Sequence, residues 1–271
     1  MILFLLLIAF VLCLWLCTKM LTAFRIFILV FFLSIVSVNA DASKLKLMAE
    51  EYPPYSYKQG GKPHGLFIDL VQKIQEKLDG ESSEVTFYPW ARGYKMLQFG
   101  DGDALFPMCM TAERSGMFKF VGPIFWDDVY FYTTKDSGID LKELGDAKKV
   151  GKIAVTRDDV FHQNLVSMGY TNLDVSSSQK CDFLKLLRGR ADLVPMGRKA
   201  ISYFFERNPE LDLSVLKRVG PPIFFTSSYI AFAHDTSDEV VRKWQAAFDE
   251  LKMEGEWLKL LDKYFPPDKV N

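Results

Sequence analysis

Beyond residue 40 the chain alternates between two hydrophobic patterns. Short runs such as Lys44 to Ala49 and Val85 to Tyr88 have the alternation and the β-branched or aromatic content of strands. Between them lie stretches with an apolar step of three and four residues. The clearest joins Leu66, Phe67, Leu70, Val71, Ile74 and Leu78 and is predicted to end at Asp79-Gly80. A stripe of that kind is the face a helix lays on a sheet, so the alternation predicts an α/β fold with largely parallel sheets.

The pattern also repeats. Met96-Leu97 leads through Gly100-x-x-Asp103 into Ala-Leu-Phe-Pro107-Met108, and Leu186-Leu187 leads through Gly189-x-x-Asp192 into Leu-Val-Pro195-Met196. Each time glycine is expected to stop a helix and a buried strand follows, its carboxyl end emerging at Pro-Met. Two α/β lobes are implied, joined by hinge crossovers at Val129 to Thr134 and at Phe224 to Ser228, the latter entering a strand from Tyr229 to Ala233. The stripes Val240, Val241, Trp244, Phe248, Leu251 and Trp257, Leu258, Leu261, Tyr264 then predict two closing helices that return to the first lobe. The expected division is 41–133 with 228–271 for lobe 1 and 134–227 for lobe 2. Ligands of open α/β sheets collect beyond the carboxyl ends of strands, which places the expected site in a cleft after Phe106 and after Pro195.

The first forty residues read differently. Two apolar runs, Met1 to Cys17 and Ile26 to Val38, are separated by Lys19 and Arg25. Met20 to Arg25 gives a positive start, Ile26 to Val36 an apolar stretch short for a bilayer span, and Val38-Asn39-Ala40 a small-residue cleavage site. An export signal cut after Ala40 is expected, with Met20 as the start on the plainest account and a retained anchor as the alternative. Only Cys109 and Cys181 then remain, expected as two separate buried thiols. Thirty-three Lys and Arg against 34 Asp and Glu leave no net field to attract nucleic acid or an anionic membrane.

Four segments in order resemble the family 3 periplasmic solute-binding proteins, the amino-acid-type receptors of ABC importers, over nearly all of 41–266. They are Glu51-Tyr-Pro-Pro-Tyr-Ser56 with Gly65-Leu-Phe-Ile-Asp-Leu70; Pro89-Trp90-Ala-Arg92 with Leu97, Gly100 and Asp103; Thr111-Ala-Glu-Arg114 with Phe118 to Pro123; and the final helix Trp257 to Phe265. The resemblance implies a two-lobed, hinge-closing periplasmic binding protein, a monomer that delivers a small polar, carboxylate-bearing ligand to an ABC permease complex in the inner membrane. It implies no enzyme activity, cofactor or metal. It also assigns Arg114 to the ligand carboxylate, which a planar guanidinium suits, and an aromatic wall to Tyr52 and Trp90. Tyr55, Phe125 and Trp126 are expected to pack.

The second lobe departs from that pattern. Where the family's amino-acid receptors place a carboxylate for the ligand ammonium, the chain reads Val194-Pro-Met-Gly197-Arg198; the usual glycine-threonine-threonine reads Val155-Thr156-Arg157; and Cys109 replaces a small hydroxyl residue. The expected ligand-binding set is therefore Arg114, Tyr52, Trp90, Cys109, Thr156, Arg157, Gly197 and Arg198, richer in positive than negative partners. It favours a dicarboxylate or other anion, or an α-amino acid held by another acid such as Asp158 or Glu51. A sensory module for a membrane partner and a dehydratase-type enzyme on the same fold stay open as alternatives. Catalytic signals are poor. Ser177-x-x-Lys180 reads as a helix cap, His64, His162 and His234 lack metal-ligand spacing, and Asp127-Asp128 reads as a solvated turn or cap.

Overall fold

The structure, a computed structural model, describes residues 44–78 and 82–266 together with Trp15. The leader with its cut after Ala40, Cys13 and Cys17, and the Asp79-Gly80 helix stop lie outside the described residues.

The elements run β1 (Leu47–Ala49), β2 (Tyr57–Gln59), β3 (Lys62–His64), α1 (Leu66–Lys77), β4 (Val85–Phe87), α2 (Trp90–Gln98), β5 (Ala104–Cys109), β6 (Phe118–Thr134), β7 (Ile153–Thr156), α3 (Val160–Ser167), β8 (Leu173–Ser176), α4 (Gln179–Leu187), β9 (Val194–Gly197), α5 (Ile201–Arg207), β10 (Leu216–Ala233), α6 (Asp238–Met253) and α7 (Glu256–Tyr264). Six strands form one sheet in the order β4-β1-β5-β10-β6-β9. In the first lobe β1 runs parallel to both β4 and β5. In the second, β7 and β8 are parallel, and a parallel bridge from Ile153 to Leu193 ties them to the entry of β9.

The predicted apolar stripe does form a helix: α1 buries Leu66, Phe67, Ile68, Leu70, Val71 and Ile74. It packs on α6 and α7, the two closing helices. The two crossovers are the long strands of the sheet. They belong to β6 and β10, which pair antiparallel from Leu216 opposite Thr134 to Ala233 opposite Phe118 and run through both lobes as one ribbon. Its ladder shifts between Val219 and Phe224 and again between Ser228 and Ile230. Prolines explain both places. Pro221 and Pro222 interrupt β10 and Pro123 interrupts β6, and a proline has no N–H to give a ladder.

The repeated motif builds the same clasp twice. Gly100 and Gly189 both take left-handed backbone, with φ 77° and 65°, a conformation that favours glycine. Three residues on, the Asp103 carboxylate accepts the N–H of Lys46 at 2.6 Å and the Asp192 carboxylate that of Lys152 at 2.8 Å. The backbone N–H groups of the same aspartates donate back to the carbonyls of Lys46 and Lys152, at 3.1 and 2.8 Å. Each clasp locks the strand after the helix to the strand that opened its lobe, and so aligns the carboxyl ends of β1 with β5 and of β7 with β9.

Candidate functional site

A cavity of about 550 Å³ lies where those carboxyl ends converge on the ribbon. Arg114 enters it from a single 3₁₀ turn, Arg114–Gly116, that follows β5. The threonine of Thr-x-x-Arg has a local task, since Thr111 Oγ1 accepts the Arg114 N–H at 3.2 Å and holds the turn. The arginine is fully buried, its Cζ 5.1 Å from the ring centroids of both Trp90 and Tyr94. Nη1 donates to the Cys109 carbonyl and Nη2 to the Asp158 carbonyl, both at 2.9 Å. Nε has no partner among the described residues. A guanidinium carries five N–H groups, so three remain unspent.

Asp158 belongs to the second lobe, at the turn between β7 and α3. Its carbonyl accepts both the Arg114 bond and one from Trp90 Nε1 at 2.7 Å, so two first-lobe side chains meet on one second-lobe oxygen. Asp158 has a positive φ, 59°, unlike the other non-glycine residues described, and its N–H donates to His162 Nδ1 at 3.1 Å. Tyr52 adds a third link, its hydroxyl 3.9 Å from Met196 Sδ, while its ring stacks on Tyr55 at 5.3 Å. The lobes are therefore closed on one another.

Acids line the same cavity. Glu50 follows the last residue of β1 and lines the cavity half-buried. Burial pushes its pKa up to about 8, against the pull of Arg114. Asp159 caps α3, accepting the His162 N–H at 2.7 Å, and burial holds its carboxyl well above the usual range. Asp127 points inward from β6 and accepts from Tyr55 Oη at 3.2 Å and from the N–H groups of Asp128 and Lys199 at 2.9 and 3.1 Å. Burial raises its pKa to about 6, although those donors favour the charged form. The Tyr52 phenol is pushed well above its ordinary value by burial and then by Asp127, Cys109, Glu50 and Asp159, which shows how closely these groups gather.

The profile of the bacterial extracellular solute-binding proteins, family 3, matches residues 46–267. The chain belongs to that family. It is 26% identical over 222 residues to a probable amino-acid-binding protein of Bacillus subtilis, covering 79% of this chain and 81% of the other. An ABC transporter arginine-binding protein of Escherichia coli is 26% identical over 219 residues, covering 79% and 87%. Among solved structures, a histidine kinase sensor domain similar to periplasmic binding proteins superposes with a TM-score of 0.75 at 21% identity, covering 83% and 98%. An arginine-, lysine- and histidine-binding protein of Geobacillus stearothermophilus gives 0.70 at 20%, covering 82% and 95%.

The family 3 pattern shows where this chain's cavity is its own. Arg114, Tyr52, Trp90, Cys109, Thr156 and Gly197 all line it. Arg157 and Arg198 do not. Each follows an inward-facing strand residue and so points the other way: Arg157 is exposed, and Arg198 lies 3.5 Å from Asp128, the outward neighbour of Asp127. The wall is mixed in charge, with Glu50, Glu51, Asp127 and Asp159 beside Lys58, Arg114, Lys180 and Arg207. Gly197 leaves room in that wall. A Cβ there would fall 2.4 Å from Asp127 Oδ2, so the glycine makes room for an acid delivered from the ribbon. Thr156 spends its hydroxyl on buried Asp182 at 2.7 Å. Cys109 Sγ lies 3.6 Å from Ser228 Oγ, and burial raises its thiol.

Glu50, Asp127 and Asp159 were not among the expected site residues. Glu50 and Asp159 follow the carboxyl ends of β1 and β7, and the rule that picked out β5 and β9 would have found them. Asp127 is neither a solvated turn nor a helix cap but a buried strand residue. Trp126, expected to pack, is 56% exposed. Ser178 does cap α4, accepting the Cys181 N–H at 3.3 Å, and both cysteines are unbridged. Among the described residues no group of three His, Cys, Asp or Glu could hold a metal.

Proposed function

We propose that this chain is an extracytoplasmic binding protein that encloses one small carboxylate-bearing amino acid between its lobes and presents it, as a monomer, to an ABC permease complex. The observation that carries the reading is Arg114, a guanidinium withdrawn from solvent at the cavity wall with three unspent donors. Two of those suit the parallel oxygens of a carboxylate. The volume of about 550 Å³ falls inside the range usual for small-molecule sites, roughly 300–1,000 Å³. The relatives named for amino acid and arginine binding support the same class.

In this reading Trp90 and Tyr52 form the wall beside the ligand, Cys109, Thr156 and Gly197 complete the surface, and Asp127 takes the α-ammonium in place of the acid missing at position 197. Closure follows as the second lobe brings Asp159 and the Asp158 carbonyl to the first. A thermal-shift screen of the exported chain against the amino acids and against dicarboxylates tests it, since a ligand that binds only the folded state must raise the Tm. An α-amino acid is expected among the hits. A hit set confined to compounds without a carboxylate overturns the reading.

A further inference from the structure

We propose that His162 is a positioning residue for closure: its neutral ring holds the Asp158 turn in the shape that receives Trp90 and Arg114, and a second proton on that ring releases the turn, so that the closed form is lost in mild acid. The inference rests on the reading above that the lobes shut around a solute. It starts from one hydrogen bond. The Asp158 N–H donates to His162 Nδ1 at 3.1 Å, and a ring nitrogen that accepts carries no proton of its own. An imidazolium has a proton on both nitrogens and can accept nothing, so this bond exists only with the neutral ring.

The chain around that bond builds a variant of the capping box. Asp159 is the N-cap of α3 and its Oδ1 accepts the His162 N–H at 2.7 Å, while the His162 side chain turns back, as the third helical residue of such a box does. Glu or Gln is usual in that place. Here an imidazole stands there, and it takes the N–H of the residue before the cap. That residue, Asp158, has left-handed backbone, φ 59°, which a side chain disfavours, so its shape depends on what its peptide groups bind. Its neighbours are bonded within the second lobe, the Arg157 N–H to the Ser176 carbonyl at 2.9 Å and the Asp159 N–H to the Thr156 carbonyl at 3.3 Å. The Asp158 carbonyl instead goes to the first lobe, meeting Trp90 Nε1 at 2.7 Å and Arg114 Nη2 at 2.9 Å. One ring nitrogen therefore holds the N–H of the residue whose carbonyl joins the lobes.

The charged and titratable groups about this turn are Arg157, Asp158 and Asp159 on the turn itself, Arg114 and Glu50 from the first lobe, and Asp182 from α4. The two arginines oppose a second proton on the ring, and so does the positive end of α3. Burial raises three of the four acids above the ordinary carboxylate range, Glu50 to about 8, Asp182 to about 6 and Asp159 well upward, so they offer little counter-charge in mild acid. The bond to the neutral ring is thus present in mild alkali and is lost as the pH falls through the range where an imidazole gains its second proton, roughly 5–8.

Because the Trp90 indole N–H ends on the Asp158 carbonyl, its nuclear magnetic resonance signal reads the joint with no solute present. The signal of the isotope-labelled exported chain, assigned through Trp90→Phe, is followed from about pH 8 to about pH 5, with small-angle scattering beside it. In the parent chain it is expected to move in one titration, and the radius of gyration to rise with it. Asparagine sets its side-chain oxygen where Nδ1 lies and cannot gain the proton, so His162→Asn is expected to abolish the movement, whereas His162→Ala is expected to give the acid position already at pH 8. A signal that stays still in the parent, one that titrates alike in the parent and in His162→Asn, or one that moves at constant radius of gyration overturns the proposal. Those results leave the solute reading intact, which falls instead on the thermal-shift screen. If His162→Ala loses its cooperative thermal transition, the comparison with His162→Asn decides alone.

Discussion

Arg114 and Glu50 both line the cavity, and each carries a separate prediction. Replacing Arg114 by Lys keeps the charge but removes the fork, together with the Nη2 bond to the Asp158 carbonyl. Affinity for the preferred solute, read by titration calorimetry, is expected to fall by about a hundredfold, since charged hydrogen bonds contribute roughly 1.5–3 kcal/mol each. Glu50 acts on stability. Its folded pKa of about 8 lies above the ordinary carboxylate value, so the fold prefers the protonated form. That preference is fully present at low pH and is lost as pH rises from about 4.5 to about 8. Denaturant melts of the unliganded chain are therefore expected to lose roughly 1–3 kcal/mol across that window, and Glu50→Gln to flatten the loss. At this scale the sequence made Arg114 legible through its motif, because a motif ties a residue type to a fixed local turn. It offered Glu51, which lines the cavity beside Glu50, but hid Asp127 and pointed to Asp158 rather than Asp159, because which neighbour turns inward is decided by pleat and cap geometry rather than by composition.

Between residue and molecule, the two aspartate clasps do the aligning. Asp103 and Asp192 each tie a strand to its parallel neighbour through a carboxylate-to-N–H bond and a return N–H-to-carbonyl bond. Replacing either by Ala is expected to cost about 1 kcal/mol in urea unfolding, the usual worth of a partly solvated hydrogen bond, and the two losses to add because the sites share no partner. The repeat that builds these clasps could be read from the letters alone, since glycine, aspartate and a buried strand each have one local meaning. The ribbon could not. Alternation identifies β6 and β10 as strands but is silent about which strand pairs with which over 17 and 18 residues, and the prolines that shift its register look like turn signals when read singly.

Across the whole molecule, the polar contacts between the lobes include Trp90 and Arg114 on the Asp158 carbonyl, Tyr52 against Met196, Tyr203 donating to the Tyr264 carbonyl and Arg207 donating to Gln59. Trp90→Phe keeps most of the ring and deletes the indole donor, so it is expected to shift the unliganded chain toward an open form. Small-angle scattering should then show a larger radius of gyration than for the parent chain, and the two should converge once ligand is saturating. The two-lobed plan was readable from the internal repeat. The charge of the cavity was not, because it is set by groups that three chain segments bring together across the cleft.

The meeting point of that closure is a peptide oxygen rather than a side chain. Drift at position 158 can change the letter without removing the acceptor, provided the new residue tolerates a left-handed backbone, as asparagine or glycine would. Variation that retunes this contact must therefore fall on the donor side, at positions 90 and 114. The same two positions face the solute, so a lineage that adjusts its grip on cargo alters the poise of its hinge in the same step.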